Sequence, residues 1–167
     1  MSVELIHFNG AEKVLRTKKM LSTVNDTIEY LDQVLCGSQH HGELLKQALG
    51  ETDWRRNSSD LTILEGRKYQ YKGLLQGVAI DGNITVYEDL QPALFRLQLG
   101  FDKKLIDAGV ILLNGARSEK SHIGESRSLL IREIALLQPT IHLPVCVALF
   151  DLSVPNIQPM EELKNAA

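Results

Sequence analysis

Aromatic residues, cysteines and surplus basic charge are all scarce in this chain, and each shortage narrows what the protein can be. Phe, Trp and Tyr together make up 5% of the sequence, so any core must be built from aliphatic side chains. The two cysteines, Cys36 and Cys146, stand far apart with no Cys-x-x-Cys and no histidine at zinc spacing. Neither a zinc fold nor a disulfide framework is therefore indicated. Cys146 lies inside the apolar run 143–150 and reads as a buried hydrophobe. Lys and Arg number 18 against 21 Asp and Glu, for a net charge of -3. That balance argues against a dedicated non-specific nucleic-acid binder, although a site-specific binder needs only a local basic cleft. The basic residues fall in short groups (Lys13, Arg16, Lys18 and Lys19; Arg55 and Arg56; Arg67, Lys68 and Lys72; Lys103 and Lys104) that read as solvated surface. No apolar run approaches the roughly 20 residues that span a bilayer. No basic start followed by an apolar stretch and a cleavage site marks a signal peptide. The expectation is a cytoplasmic protein with reduced thiols and no membrane association.

What is present is ordinary globular material, 44% hydrophobic and 23% charged over 167 residues. That is one domain's length, and a chain of this size buries enough surface to fold unaided. We expect a single domain over residues 1–152, with a tail over 153–167 that holds two prolines. Residues 3–8 read as an extended segment closed by Asn9-Gly10. Val24, Ile28, Leu31 and Leu35 form a helical stripe ended by Gly37, and a shorter helical pattern runs from Glu43 to Leu49. After the polar connection around Trp54 the period changes. Residues 61–65, 68–72 and 74–80 read as an antiparallel strand meander punctuated by Gly66 and Gly73. A helix is expected over 87–104, with Leu90, Leu94, Leu97 and Phe101 on one stripe and Pro92 in its first turn. A nearly continuous apolar strand over 105–113 follows, then a polar loop, a helix over 126–137 and an apolar strand over 141–150. Helices, a meander and then alternating strands and helices imply an α/β fold, a mixed central β-sheet flanked by helices.

The most distinctive stretch runs from Tyr87-Glu88-Asp89-Leu90 through Phe95-Arg96-Leu97 to Leu105-Ile106-Asp107-Ala108-Gly109-Val110-Ile111. It resembles type II restriction endonucleases of the BglII/BstYI kind, in which a catalytic hairpin precedes a helix with an acidic start and a strand close to Leu-Ile-Asp-x-Gly-Val. The opening Glu4-Leu5-Ile6-His7-Phe8-Asn9-Gly10 and the Trp54 segment sit in similar places. The resemblance spans about residues 1–152 and is densest over 74–113. It implies a restriction-endonuclease-like fold, double-stranded DNA as partner, a homodimer, and Mg2+ held by acids on two adjacent strands wherever the enzyme is active.

A hard divalent cation takes oxygen ligands, and two acids separated by one residue on a strand share a face. In this chain the corresponding strand reads Gly77-Val78-Ala79-Ile80-Asp81-Gly82-Asn83. If Gly82-Asn83 sets the register, the acid positions are Val78 and Ile80, both apolar, and Asp81 points to the other face. The preceding Tyr69-Gln70-Tyr71-Lys72 offers no acid. A shifted register instead puts Asp81 and Asn83 together, with Glu65 or Asp60 approaching and Lys72 nearby. On that basis Asp81, Glu65 and Lys72 are the catalytic candidates, and Asp81, Glu65 and Glu88 the metal candidates. The competing reading makes Asp81-Gly82-Asn83 turn chemistry and Glu88-Asp89 acids that favour a helix start.

Asp107, set in an apolar strand, must be paired or hydrogen-bonded if buried. His40 and His41 read as a surface pair, and His7, His122 and His142 stand alone. The loop 114–124 ends a buried strand before a helix, a place where backbone N–H groups meet phosphates, although it lacks a P-loop pattern. Under the resemblance it would face DNA, with Arg117, Lys120, His122 and Arg127 making contact. No Gly-x-Ser-x-Gly elbow is present. Three readings remain: a DNA-interacting nuclease-fold domain with a lost or degenerate site, an active Mg2+-dependent endonuclease, and a protein-interaction or structural domain on the same scaffold.

Overall fold

The computed structural model describes residues 3–67, 69–116 and 123–152. The expected tail over 153–167 lies outside them. In chain order the elements are β1 (Val3–Phe8), α1 (Ala11–Thr17), α2 (Leu21–Leu35), α3 (His41–Glu51), a 3-10 turn (Ser58–Leu61), β2 (Thr62–Leu64), β3 (Tyr69–Gln70), β4 (Gly73–Leu75), β5 (Val78–Asn83), α4 (Leu90–Asp102), β6 (Ala108–Asn114), α5 (Ile123–Leu136) and β7 (Val145–Phe150). Five strands form one mixed sheet in the order β1-β7-β6-β5-β4. The three central strands are parallel, and an antiparallel strand closes each edge.

Period-2 alternation sends the two faces of each central strand into different cores. Val78, Ile80, Ala108, Val110, Leu112, Cys146, Ala148 and Phe150 pack under α1, α2 and α3. Ala79, Ile111, Leu113, Val145, Val147 and Leu149 pack under α4 and α5. Burial on both faces is why β6 and β7 are almost unbroken aliphatic runs. The result is a three-layer sandwich, as the element order implied.

The strand meander departs from expectation. Run 74–80 is two strands, because Gln76 (φ 49°) and Gly77 (φ 78°) both adopt left-handed conformations and make a two-residue hairpin turn between β4 and β5. β2 and β3 pair only with each other, in a separate small sheet. A second departure is α1, seven residues long, which follows the Asn9-Gly10 turn at positive φ. Helix α4 starts at Leu90, three residues later than expected, because Asn83 and Thr85 organise a turn ahead of it. Strand β6 likewise starts at Ala108, after Lys104 has reversed the chain at φ 59°.

Trp54 joins the layers. It is fully buried, its Nε1 donates to Thr27 Oγ1 of α2 at 3.0 Å, and its carbonyl accepts from Leu74 N of β4 at 2.8 Å. On the opposite face Tyr71 inserts its ring against α4 at Gly100, where an added Cβ would lie 1.5 Å from the phenol oxygen. Alanine is the better helix former by about 1 kcal/mol, but here overpacking decides. Gly100→Ala is expected to destabilise the protein by about 1–3 kcal/mol, seen as a lower urea midpoint; an unchanged or higher midpoint would contradict this packing. Burial also pushes the Cys146 thiol up to about 12, whereas Cys36 is half-buried. A thiol reagent at pH 8 should label Cys36 in the native protein and reach Cys146 only after unfolding, as peptide mapping of the labelled protein would report.

Candidate functional site

The polar residues of β5 cluster where the strand passes beneath α4. Asp81 shares its face with Ala79, so its carboxylate points into the layer between sheet and helix, and its side chain is only 2% exposed. Arg96 of α4 meets it with a two-point fork: Nε to Oδ2 at 2.8 Å and Nη2 to Oδ1 at 2.9 Å. Oδ1 also accepts the Gly82 amide at 2.7 Å. The Arg96 Nη2 reaches a second carboxylate, Asp89 Oδ2, at 3.4 Å. Asp89 immediately precedes α4, two helical turns before Arg96, and so arrives on the same side of the helix.

Lys72, immediately before β4, completes the group. Continuing the register of Gly73 opposite Ile80 sets Lys72 across from Asp81, and the Lys72 amide donates to the Ile80 carbonyl at 2.9 Å. Directly opposed residues of an antiparallel pair share a face. The Lys72 ammonium donates to the Gly82 carbonyl, and Arg55 holds the Lys72 carbonyl at 3.1 Å. Gly82 has φ 97°, and a Cβ there would come within 2.4 Å of the Leu112 carbonyl, so the position admits only glycine.

Burial dominates the electrostatics. It raises the Asp81 pKa above the ordinary carboxylate value, against the pull of the Arg96 fork, the Gly82 amide and the Lys72 charge. It lowers the Lys72 pKa, against the attraction of Asp81 and Asp89. Hydrogen bonding to Asp81 raises Arg96 further. The Tyr71 phenol, desolvated and facing the Asp81 charge, is pushed up to about 12.

Of the sequence candidates, Asp81 and Lys72 come together; Glu65 and Glu88 do not join them. Glu65 lies exposed in the turn after β2, and Glu88 is exposed beside Tyr87 and Gln91, facing Leu129 and Glu133 of α5. Among the described residues no group of three or more His, Cys, Asp or Glu side chains gathers at metal distance. Nor does Asp81 fit magnesium. Its oxygens are committed to a guanidinium and an amide, whereas a hard dication needs several free oxygen ligands. Asn83 is turn chemistry: its Oδ1 accepts from Thr85 N at 3.0 Å and Thr85 Oγ1 at 2.6 Å. Asp107 is exposed just before β6 and paired with Lys18 at 2.6 Å, not buried within the strand.

Arg96 is the residue that sequence reasoning missed. It sits on the sheet side of α4 among the buried Ala93, Leu94 and Leu97, and the one signal for it is Asp81, whose buried carboxylate demands a partner.

A second polar region lies at the carboxyl ends of β5 and β6. Asn114 Nδ2 donates to the Thr85 carbonyl at 3.2 Å, Asn114 Oδ1 accepts the Ala116 amide at 2.9 Å, and Ser126 Oγ donates to the Gly115 carbonyl at 2.6 Å. Arg127, half-exposed, pairs with Glu4 at 2.7 Å. Arg117, Lys120 and His122 lie outside the described residues.

The Asp81–Arg96 pair sets a measurable expectation. Truncating Arg96 leaves a carboxylate stranded in the interior, so Arg96→Ala should cost about 3–5 kcal/mol in chemical denaturation. Arg96→Lys should recover only part of that, because an ammonium cannot reproduce the fork. A loss under 1 kcal/mol for Arg96→Ala would show that the pair carries no such weight.

No protein-family model and no curated protein matches the chain. Solved structures do. The chain is similar to the restriction endonuclease BglII complexed with a DNA 16-mer, at a TM-score of 0.60 and 12% identity over 90% of this chain and 76% of that one. It is also similar to free BglII, at a TM-score of 0.56 and 14% identity over 90% and 80%. With five strands in mixed order between two helical layers, the domain has a restriction-endonuclease-like fold.

Proposed function

We propose that this restriction-endonuclease-like domain interacts with double-stranded DNA and does not cleave it. The observation that carries the reading is the Asp81–Arg96 fork, which commits the carboxylate on the hairpin to an internal cation. Metal-assisted hydrolysis needs oxygen ligands free to hold the ion and to place the attacking water. The residue two positions before Asp81 is the buried apolar Ala79, and the residue across from it, just before β4, is Lys72. Support for DNA as partner comes from the likeness to an enzyme solved on a DNA 16-mer. It comes also from the polar groups at the carboxyl ends of β5 and β6, Asn114 and Ser126 with Arg127 beside them, where ligands of open α/β sheets bind. Arg117, Lys120, His122 and Arg127 are the proposed contacts.

Within the same proposal the domain is a cytoplasmic homodimer. All five large apolar side chains found exposed among the described residues, Val86, Phe95, Leu105, Ile131 and Leu136, lie on or beside α4 and α5. Concentration of exposed apolar surface on one layer is what a self-association face looks like. No helix among the described residues is long and apolar enough to cross a membrane.

Supercoiled plasmid incubated with the protein in magnesium or manganese should remain uncut, while a gel-shift titration shows retarded duplex. Affinity should fall as salt rises, and Arg127→Ala should lower the salt slope by about 1. Cleavage that Asp81→Ala abolishes would replace this reading with the active endonuclease. Absence of any retardation at 50 mM salt would leave the protein-interaction reading.

A further inference from the structure

Two carboxylates from different elements converge on a single cation. Asp81 arrives from β5 and Asp89 from the turn before α4, and both point at the Arg96 guanidinium, at 2.8–2.9 Å and 3.4 Å. Asp81 is all but sealed from solvent, while Arg96 and Asp89 are 20% and 25% exposed. Two anions drawn this close in a poorly solvated place cannot both stay ionised without positive charge between them. The chain supplies that charge itself, with Lys72 as a second cation on the Gly82 carbonyl.

We infer that Arg96 is a resident cation: its guanidinium fills the space between Asp81 and Asp89 in which a divalent ion would otherwise be held, and so makes the domain refractory to metal. The inference deepens the non-cleaving reading given above but does not depend on DNA binding. An arginine suits the role because it never deprotonates and its planar fork takes both Asp81 oxygens at once. A metal ion, by contrast, would have to displace that fork. Removing the guanidinium leaves two carboxylates facing one emptied position, open to solvent where Arg96 was partly exposed beside Asp89. Such an oxygen-only site would take a hard dication such as Mg2+, Mn2+ or Ca2+.

The test uses Mn2+ alone, followed by its EPR signal, with no DNA present. The wild-type protein should leave free Mn2+ unchanged, and its melting temperature should not move. Arg96→Ala should bind one Mn2+ per chain and melt roughly 5–10 °C higher at a hundredfold excess over Kd. Asp81→Asn combined with Arg96→Ala should lose both effects. The inference is overturned if folded Arg96→Ala takes up no Mn2+, or if the wild type binds Mn2+ that Asp81→Asn removes. Arg96→Gln, which keeps one donor for Asp81, is measured alongside. Should neither variant fold in metal-free buffer, recovery of a cooperative melt on adding Mn2+ supports the inference, and failure to recover one overturns it. Gel shifts of the wild type in EDTA and in magnesium form a separate arm: equal affinities agree with the inference, whereas no binding in either defeats the DNA reading and leaves the Mn2+ result standing.

Discussion

A carboxylate placed beneath a helix must have a permanent cation, and much of the β4–β5–α4 region is arranged around that demand. Ionised Asp81 would be intolerable in the layer between sheet and helix without a partner. Arg96 has to sit on the sheet side of α4, although the neighbouring positions Ala93, Leu94 and Leu97 of that face are apolar. The helix cannot rotate by one residue without losing the fork, so the polar pair fixes the register of an otherwise forgiving aliphatic contact. Gly82 contributes by its amide and by admitting β5 close against β6, and Lys72 holds the Gly82 carbonyl from just before β4.

The same pair separates scaffold from chemistry. Nuclease neighbours share the three-layer sandwich and the mixed sheet, but a fold does not carry its site with it. In this chain the hairpin end is electrically complete by itself, two acids set against two bases. A buried ion pair of this kind adds little net stability compared with an apolar core of equal volume, yet breaking one side of it is costly. It acts as a specificity device that holds one helix at one setting on one strand.

Much of this architecture could be read from the sequence, for reasons visible in particular residues. The stripe Val24, Ile28, Leu31, Leu35 could only be a helix, and the aliphatic runs of β6 and β7 could only be strands covered on both faces. The glycine after α2 marks its end as expected, with Gly37 at φ 76°. The hairpin was harder to see, since its turn is Gln76-Gly77 and a glutamine at positive φ carries no strong signal. Helix α1 is too short to show a periodic stripe. Within the site, Asp81 and Lys72 were legible because strand pairing puts neighbours together. Arg96 was not, because its partner lies fifteen residues away across a turn whose geometry depends on Asn83 and Thr85. Glu65 and Glu88 failed as site residues for a related reason: β2 pairs only with β3, and Glu88 falls on the α5 side of the turn before α4.

Trp54 has an optical consequence. It is the chain's only tryptophan, wholly buried on the face of the sheet away from Arg96 and bonded to Thr27. Its emission therefore comes from one indole in one environment, under α2 and α3. A probe on the α4 side, such as the Tyr71 phenol against Gly100, looks at the other core. Three of the four tyrosines, Tyr69, Tyr71 and Tyr87, pack in that core and Tyr30 in the indole's. Tyrosine absorbance is therefore weighted toward the α4 side, and setting it against fluorescence tells whether the two helical layers come apart in a single event or one before the other.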